Sequence, residues 1–575
     1  MTDAAVTRPD SSADPTPGLD ARTSSRDRRL AVAAVTVAVL PIVVAVVRAL
    51  LHHWIPVSDN GVTAIRTEDV FSRFFPWWGQ ASSASLAAPK PLNHPGPLQF
   101  VLLAPPTALL GPGPGLAIGT GVLNGAAVVI AAWAAWRRAA VVGSVLASVV
   151  AGALAWSMGS ELLYDPWPAH ALMLPTLAFC VLAWAIADGD LVLAPLAVGV
   201  GSLMVQTHLT AAYLVPGLLA LGVLVGWRAA RGRRRGLIMG IAVLVGVVLW
   251  IPPLVEEIGA RDGNITRLVD QVRHPPRHTV GAADALRLTA RIVVEPPAWA
   301  RPSLRDSLRE AGGSLKGSSP SVDALPVPST TNALLMLAGL GVLLGGLAWW
   351  AVRRRDRTST VAVATAGGAL VLAWYTAAQI TTQIVGVAPH QFRFIWPVAA
   401  FVTFAALLAV ARAFRSPAAV ARIAIGGTAV VALLAALNLP TSPASGGPQV
   451  DEPVMASIRA VNRQLGALEA DAPVLADWSG IAFQEPYSGA FTAELRDRDI
   501  PFVTASPYQV RHYGTQRRFD GTNAKTSVFY RLGHEARRRF IGAFHRVAYT
   551  PAHDGAPAIG VYAGPVTARV PAPRS

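Results

Sequence analysis

Leu98-Gln99-Phe100-Val101-Leu102-Leu103-Ala104-Pro105-Pro106-Thr107-Ala108-Leu109-Leu110 is the stretch on which the fold turns. It is apolar, but Pro97 precedes it, Pro105 and Pro106 interrupt it, and Gly111-Pro112-Gly113-Pro114-Gly115 follows it. A helix that crosses a bilayer needs roughly 20 apolar residues, and this run falls well short. If it crosses nonetheless, every later segment of the chain changes side.

Apolar runs of spanning length flank it at 30–51, 115–136, 139–158, 169–187, 191–206, 209–227, 237–254, 331–352, 359–379, 394–413 and 420–439. Basic residues sit in short blocks between them: Arg26–Arg29, Arg137-Arg138, Arg228–Arg235, Arg353–Arg357 and Arg412–Arg422. Such blocks mark the cytoplasmic side. With 98–110 held at the outer interface, as a juxtamembrane or re-entrant segment, all of them fall inside. With 98–110 crossing, the later blocks move outside. The consistent solution is a polytopic α-helical membrane protein of about eleven spans with a cytoplasmic N-terminus. Residues 1–28, rich in Ser, Thr, Asp and Pro, read as a disordered cytoplasmic tail. Residues 29–439 form the transmembrane domain, with outer loops 52–114 and 255–330. Residues 440–575 form an extracytoplasmic α/β domain.

Composition supports a multi-pass membrane protein, whose expected location is the plasma (inner) membrane. Of 575 residues, 52% are hydrophobic and only 14% charged, with a mean hydropathy of +0.43. A soluble protein carries about a quarter charged residues. The net charge of +15 follows the span-flanking blocks, so it argues for membrane lipids as surroundings and against nucleic acid. Cys180 is the only cysteine, which excludes a disulfide framework. No GxxxxGK[ST] sequence occurs, so the chain has no nucleotide motor of this type. After the Pro440–Pro448 linker, Val454–Glu469 has helical periodicity. Val474–Asp477, Phe502–Thr504, Ser527–Arg531, Arg546–Tyr549 and Ile559–Tyr562 read as strands. This region is expected to dock or to gate an acceptor, without chemistry of its own.

The chemistry-bearing residues gather on the outer face. Asp59 stands a few residues past the first span, where a carboxylate can take a proton from an acceptor hydroxyl. Arg66, Glu68 and Asp69 follow, and on a helix Arg66 and Asp69 share a face and can pair. His94 opens the rigid turn His94-Pro95-Gly96-Pro97, whose glycine allows close backbone approach. Tyr164-Asp165-Pro166-Trp167-Pro168-Ala169-His170, Gln206-Thr207-His208 and Pro389-His390-Gln391-Phe392-Arg393 add further patches. Arg393 suits a lipid phosphate through its planar fork of donors. Each has a plainer reading: solvated loop charges, a turn cap at His94, a helix–helix hydrogen bond at His208, snorkelling at Arg393. Five patches on one face are harder to dismiss together. Asp59, Glu68, Asp69 and Asp165 offer oxygen ligands for Mg²⁺ or Mn²⁺, although no compact ligand motif demands a metal.

The acid after the first span, together with Asn93-His94-Pro95 and the layout of many spans followed by an outer C-terminal domain, resembles the GT-C glycosyltransferases. The protein mannosyltransferase and aminoarabinose transferase families are of this type. The resemblance implies a polyprenyl-phosphate sugar donor and a glycan, lipid or protein acceptor in the cell envelope. Asp59 would be the base, and Arg393 with His390 or His94 would hold the donor phosphate; Arg66, Glu68, Asp69, Asp165 and His208 are further substrate-binding candidates from their place on the same face. It also implies a polyprenyl phosphate leaving group and inversion at the anomeric carbon. The chain departs from the family at two points. The His-Pro-Pro turn is here His-Pro-Gly-Pro, and Asn60 stands where a second acid would adjoin Asp59. Abundant Arg, Ala and Gly, with only Lys90, Lys316 and Lys525 as lysines, fit a GC-rich, actinobacterial origin. The competing readings are a transporter or lipid-linked sugar flippase using the same polar cavity, and a catalytically inert scaffold.

Overall fold

The computed structural model describes residues 24–82, 85, 90–230, 234–274, 278–294, 327–382, 386–387, 389–439, 450–478 and 485–570. Nearly all of the expected N-terminal tail, the Pro440–Pro448 linker and half of the 255–330 loop lie outside these residues. Helix α1 (Ser25–Leu51) begins earlier than the apolar run suggests. Ser24 caps it by accepting from the Asp27 amide at 3.1 Å.

Short α2 (Asp59–Glu68) follows, then α3 (Leu98–Leu110) and α4 (Pro112–Met158). The bundle continues through α5 (Pro168–Ala171), α6 (Met173–Ala187), α7 (Ala194–Thr207) and α8 (Ala211–Ala229). Next come α9 (Arg235–Leu249), α10 (Ile251–Gly259), α11 (Asn264–Arg273) and α12 (Gly281–Val293). It closes with α13 (Thr330–Arg353), α14 (Arg357–Ala378), α15 (Ile395–Ala411) and α16 (Pro417–Asn438). Among the described residues, eight helices are long and apolar enough to cross a membrane, or nine if the bent pair α9–α10 is one span. This differs from the expected eleven for two reasons. α4 counts once although it kinks at Ala139 and Ala140, the latter at φ +49°, so that it is two helices in series. The run at 191–206 forms only the short helix α7.

The kink has a local cause and a local use. A Cβ on Gly143 would stand 2.4 Å from the Ala135 carbonyl oxygen, so the sharp turn needs glycine there. The kink presents Arg137 to Asp190 and Arg138 to Asp188, both at 2.6 Å. Arg357 also approaches Asp188, and Arg412 pairs with Asp356. Three of the basic blocks therefore meet at one end of the bundle, as a single-sided arrangement requires. α3 turns back at Gly111 (φ +81°) and lies beside the first turns of α4, where Gly115 and Gly119 admit its backbone and side chains. All of α6 is buried, as expected of a helix apolar on every side.

Residues 450–570 carry α17 (Glu452–Asn462), α18 (Tyr487–Asp497), α19 (Pro507–Tyr513) and α20 (Gly533–Ala536). Their strands are β1 (Val474–Ala476), β2 (Phe502–Val503), β3 (Thr526–Leu532), β4 (Phe540–Ile541), β5 (Phe544–Thr550) and β6 (Ile559–Pro565). The sheet order is β2-β1-β3-β6-β5-β4, parallel from β2 to β3 and antiparallel beyond. This region does not stand apart from the bundle. α18 crosses α2 so closely that a Cβ on Gly61 would lie 2.2 Å from the Gly489 carbonyl oxygen, and one on Gly489 would lie 2.1 Å from that of Ser58. Neither obstacle is a side chain that can turn away. Gly489→Ala is therefore expected to cost about 1–3 kcal/mol through overpacking. The measurement is limited proteolysis of the full chain, with faster cleavage between the bundle and the 450–570 region expected.

Candidate active site

α2 starts abruptly. Ser58 sits at φ +51°, a conformation that non-glycine residues adopt at a cost of about 1–3 kcal/mol. Its amide donates to the Pro486 carbonyl and its own carbonyl accepts from Gly61. The first helical residue is Asp59, whose backbone carbonyl accepts from Gln80 Nε2 at 2.8 Å. The Asp59 carboxylate is crowded by protein while 32% of its side chain stays accessible. Trp167 Nε1–H donates to Oδ2 at 3.0 Å, and His512 Nε2 stands 3.9 Å from Oδ1. Burial pushes the Asp59 carboxyl up to about 6. The Trp167 hydrogen bond opposes the rise and Asp165 adds to it.

Histidines surround this carboxylate. The Trp167 ring packs against His170 and His390, at 4.9 and 4.8 Å between centroids. His94 lies 4.8 Å from His208. Burial holds His94 well below the ordinary histidine value, with His208 and then His512 reinforcing this. His208 and His390 line a narrow crevice whose other walls include Leu172, Met173, Met204, Leu214 and Phe394. Arg393 is buried one helical turn from His390. The His-Pro turn is built as its glycine suggests, with the Gly96 amide donating to the Gln206 carbonyl at 3.1 Å.

Asp59, His94, His208, His390 and Arg393 are thus brought to one region. Arg66, Glu68 and Asp69 lie towards the other end of α2, and Asp165, beside Asp59, is engaged in hydrogen bonds within the fold. Ten residues of helix place Asp69 about 15 Å from Asp59 along α2. Fully buried Asp69 accepts from Arg66 at 3.1 Å, from both terminal nitrogens of Arg517 at 2.6 and 2.8 Å, and from Arg496 at 3.3 Å. Arg66 also donates to the Tyr513 carbonyl at 2.9 Å. Glu68 faces Arg496, Asp497 and Asp499, and burial pushes it up to about 8. Asp165 is fully buried and engaged by Asn60, His170 and the Trp167 amide. The four carboxylates offered as Mg²⁺ or Mn²⁺ ligands do not converge. Among the described residues, no three His, Cys, Asp or Glu side chains are placed to hold a metal ion.

Sequence reasoning missed the contribution of α19. Arg511 donates to Asn93 Oδ1 at 2.9 Å and to Asn264 Oδ1 at 3.0 Å, and its guanidinium lies 4.1 Å above the Trp78 ring. The C-terminal region, expected to dock or to gate an acceptor, brings His512 Nε2 to 3.9 Å from Asp59 Oδ1. The described part of the 255–330 loop forms wall. Asn264 bonds to Asn93, while Glu256 and Glu257 cap α11 by accepting from the Asn264 and Ile265 amides.

No family model matches the chain, and no curated protein sequence does. Solved structures with a similar arrangement include ArnT from Cupriavidus metallidurans bound to undecaprenyl phosphate and the same protein in the apo state. The first is 14% identical with a TM-score of 0.44, and the second 13% identical with a TM-score of 0.46. Each alignment covers 91% of this chain and 97% of the other.

The assignment of Asp69 to structure has a direct test. Asp69→Asn strands three guanidiniums, one of them fully buried, and is expected to destabilise the fold by about 3–5 kcal/mol. In thermal unfolding of the purified protein, Asp69→Asn should melt well below the wild type, whereas Asp59→Asn should melt close to it.

Proposed function

We propose that this chain is a membrane glycosyltransferase. It moves a sugar from a polyprenyl-phosphate-linked donor to a cell-envelope acceptor on the outer face, with Asp59 as the base. The observation that carries this reading is the continuity of two environments. Trp167, whose indole holds the Asp59 carboxylate, packs against His390, and His390 and His208 in turn line a crevice with Leu172, Met173, Met204, Leu214 and Phe394. A ligand with an anionic head and a long apolar chain satisfies both parts at once.

The chemistry follows from the placement of the groups. With the donor's prenyl chain in the crevice, its phosphate reaches the imidazoles and Arg393, and its anomeric carbon faces Asp59. An acceptor hydroxyl approaching on the Asp59 side attacks that carbon as the sugar–phosphate C–O bond breaks. The electron pair leaves with the prenyl phosphate, and the acceptor proton passes to Asp59. A direct displacement of this kind inverts the anomeric centre. Arg393 and the N–H groups of the imidazoles stabilise the charge developing on the departing phosphate. The resemblance to GT-C enzymes noted from Asp59 and His94-Pro95 agrees with this assignment of roles.

The test is release of prenyl phosphate from labelled prenyl-phosphate pentoses and hexoses by the full chain in nanodiscs. Asp59→Asn is expected to lower release on the order of 10²–10⁴-fold. The base acts only when ionised, so wild-type turnover should rise with pH through about 6 and level off above it. Binding of prenyl phosphate without release from any of these donors would favour the transporter or flippase instead.

A further inference from the structure

His512 belongs to the 450–570 region, yet its imidazole is held as firmly as any group of the first loop. α19 is fixed on both sides of it. Arg511 is locked to Asn93 and Asn264, and its carbonyl accepts from Trp78 Nε1. The Tyr513 carbonyl accepts from Arg66 at 2.9 Å and from Arg517 at 2.6 Å. The ring itself stacks on Tyr508 at 5.3 Å and meets Tyr513 edge-on at 5.8 Å. Only 8% of the residue is exposed.

The free nitrogen chooses the tautomer. His512 Nδ1 is buried and has no hydrogen-bond partner among the described residues. A proton there would be an orphaned buried donor, which proteins avoid more strictly than an unused lone pair. The proton therefore sits on Nε2, the nitrogen that faces Asp59 Oδ1. Their separation of 3.9 Å is too long for a direct hydrogen bond. It suits a third polar atom: an oxygen about 2.8 Å from each would subtend roughly a right angle. An atom there must accept from an N–H and donate to a carboxylate, as a hydroxyl does and an ionised phosphate oxygen, an ammonium or a carbonyl does not.

We propose that the acceptor hydroxyl binds between Asp59 Oδ1 and His512 Nε2, so that the C-terminal region supplies half of the acceptor site. This rests on the glycosyl-transfer reading above and adds to it the residue that holds the nucleophile. His512 donates to the hydroxyl oxygen and turns its proton towards Asp59 and a lone pair towards the anomeric carbon. The proton still goes to Asp59 and the electron pair still leaves with the prenyl phosphate, so His512 ends each turnover in its starting state. Water is the smallest nucleophile that fits, so donor hydrolysis depends on the same pair.

The experiment uses the full chain in nanodiscs with farnesyl-phosphate-linked pentoses and hexoses. Farnesyl phosphate release is followed with water alone and with octyl glucoside as acceptor probe, and the Kd of farnesyl phosphate is measured separately. His512→Phe keeps the ring packing against Tyr508 and removes the N–H. It should lower release roughly 10- to 100-fold while changing the farnesyl phosphate Kd less than about twofold. His512→Gln keeps a donor at a similar reach and should recover a large part of the rate. Wild-type rates in His512→Phe, or a loss of farnesyl phosphate affinity matching the loss of rate, overturn the proposal and leave glycosyl transfer standing. A wild-type chain that binds farnesyl phosphate but releases none from any donor overturns the transfer reading itself, and this one with it.

Discussion

Everything at the candidate site depends on one buried carboxylate that is not part of it. Asp69 has no solvent exposure and takes hydrogen bonds from Arg66, Arg517 and Arg496. Arg66 comes from the same helix as Asp59, whereas the other two come from the region after residue 450. Burial pulls the Arg66 guanidinium down to about 10, and Asp69 opposes that fall, so Arg66 remains charged at neutral pH. A buried charge without its partner is among the costlier defects a fold can carry. The clasp therefore sets where α19 lies, and α19 sets where His512 lies.

A second device works at the opposite end of α2. The glycine crossing of Gly61 and Gly489 brings α18 against the helix start, where the unusual backbone at Ser58 immediately precedes Asp59. Asp165 plays a matching part from the bundle side. It holds Asn60, His170 and the Trp167 amide, and the Trp167 indole in turn holds the Asp59 carboxylate. Asp59 thus has one oxygen committed to an indole and the other turned towards an open gap. That division is what a positioned base needs: one oxygen fixes its orientation while the other meets the proton.

The membrane bundle was largely legible because apolar run length and Arg placement are local signals. The runs at 30–51, 169–187 and 420–439 became helices, and the Pro/Gly brackets around 98–110 turned that segment back at Gly111. The strands β1, β3, β5 and β6 were legible from alternation and β-branched content. The sites were half legible. Asp59 and the His94-Pro95 turn announce themselves by position beside a span end. The Arg66–Asp69 pair is legible from its spacing, but Arg496 and Arg517 reach Asp69 from 427 and 448 residues away and Asn60 reaches Asp165 from 105, which spacing within one segment cannot reveal. Whether a charged side chain is spent on the fold or left for a ligand is settled by tertiary pairing. For the same reason His512, in a segment of soluble composition, carried no signal that set it apart.

The most direct measurement is a cryo-EM map of the full chain in nanodiscs with farnesyl phosphate. The account predicts phosphate density against His390, His208 and Arg393, with the prenyl chain in the crevice beside Leu172, Met204 and Phe394 and His512 still facing Asp59. Phosphate density elsewhere on the molecule, or a 450–570 region displaced so that His512 no longer borders Asp59, would contradict it.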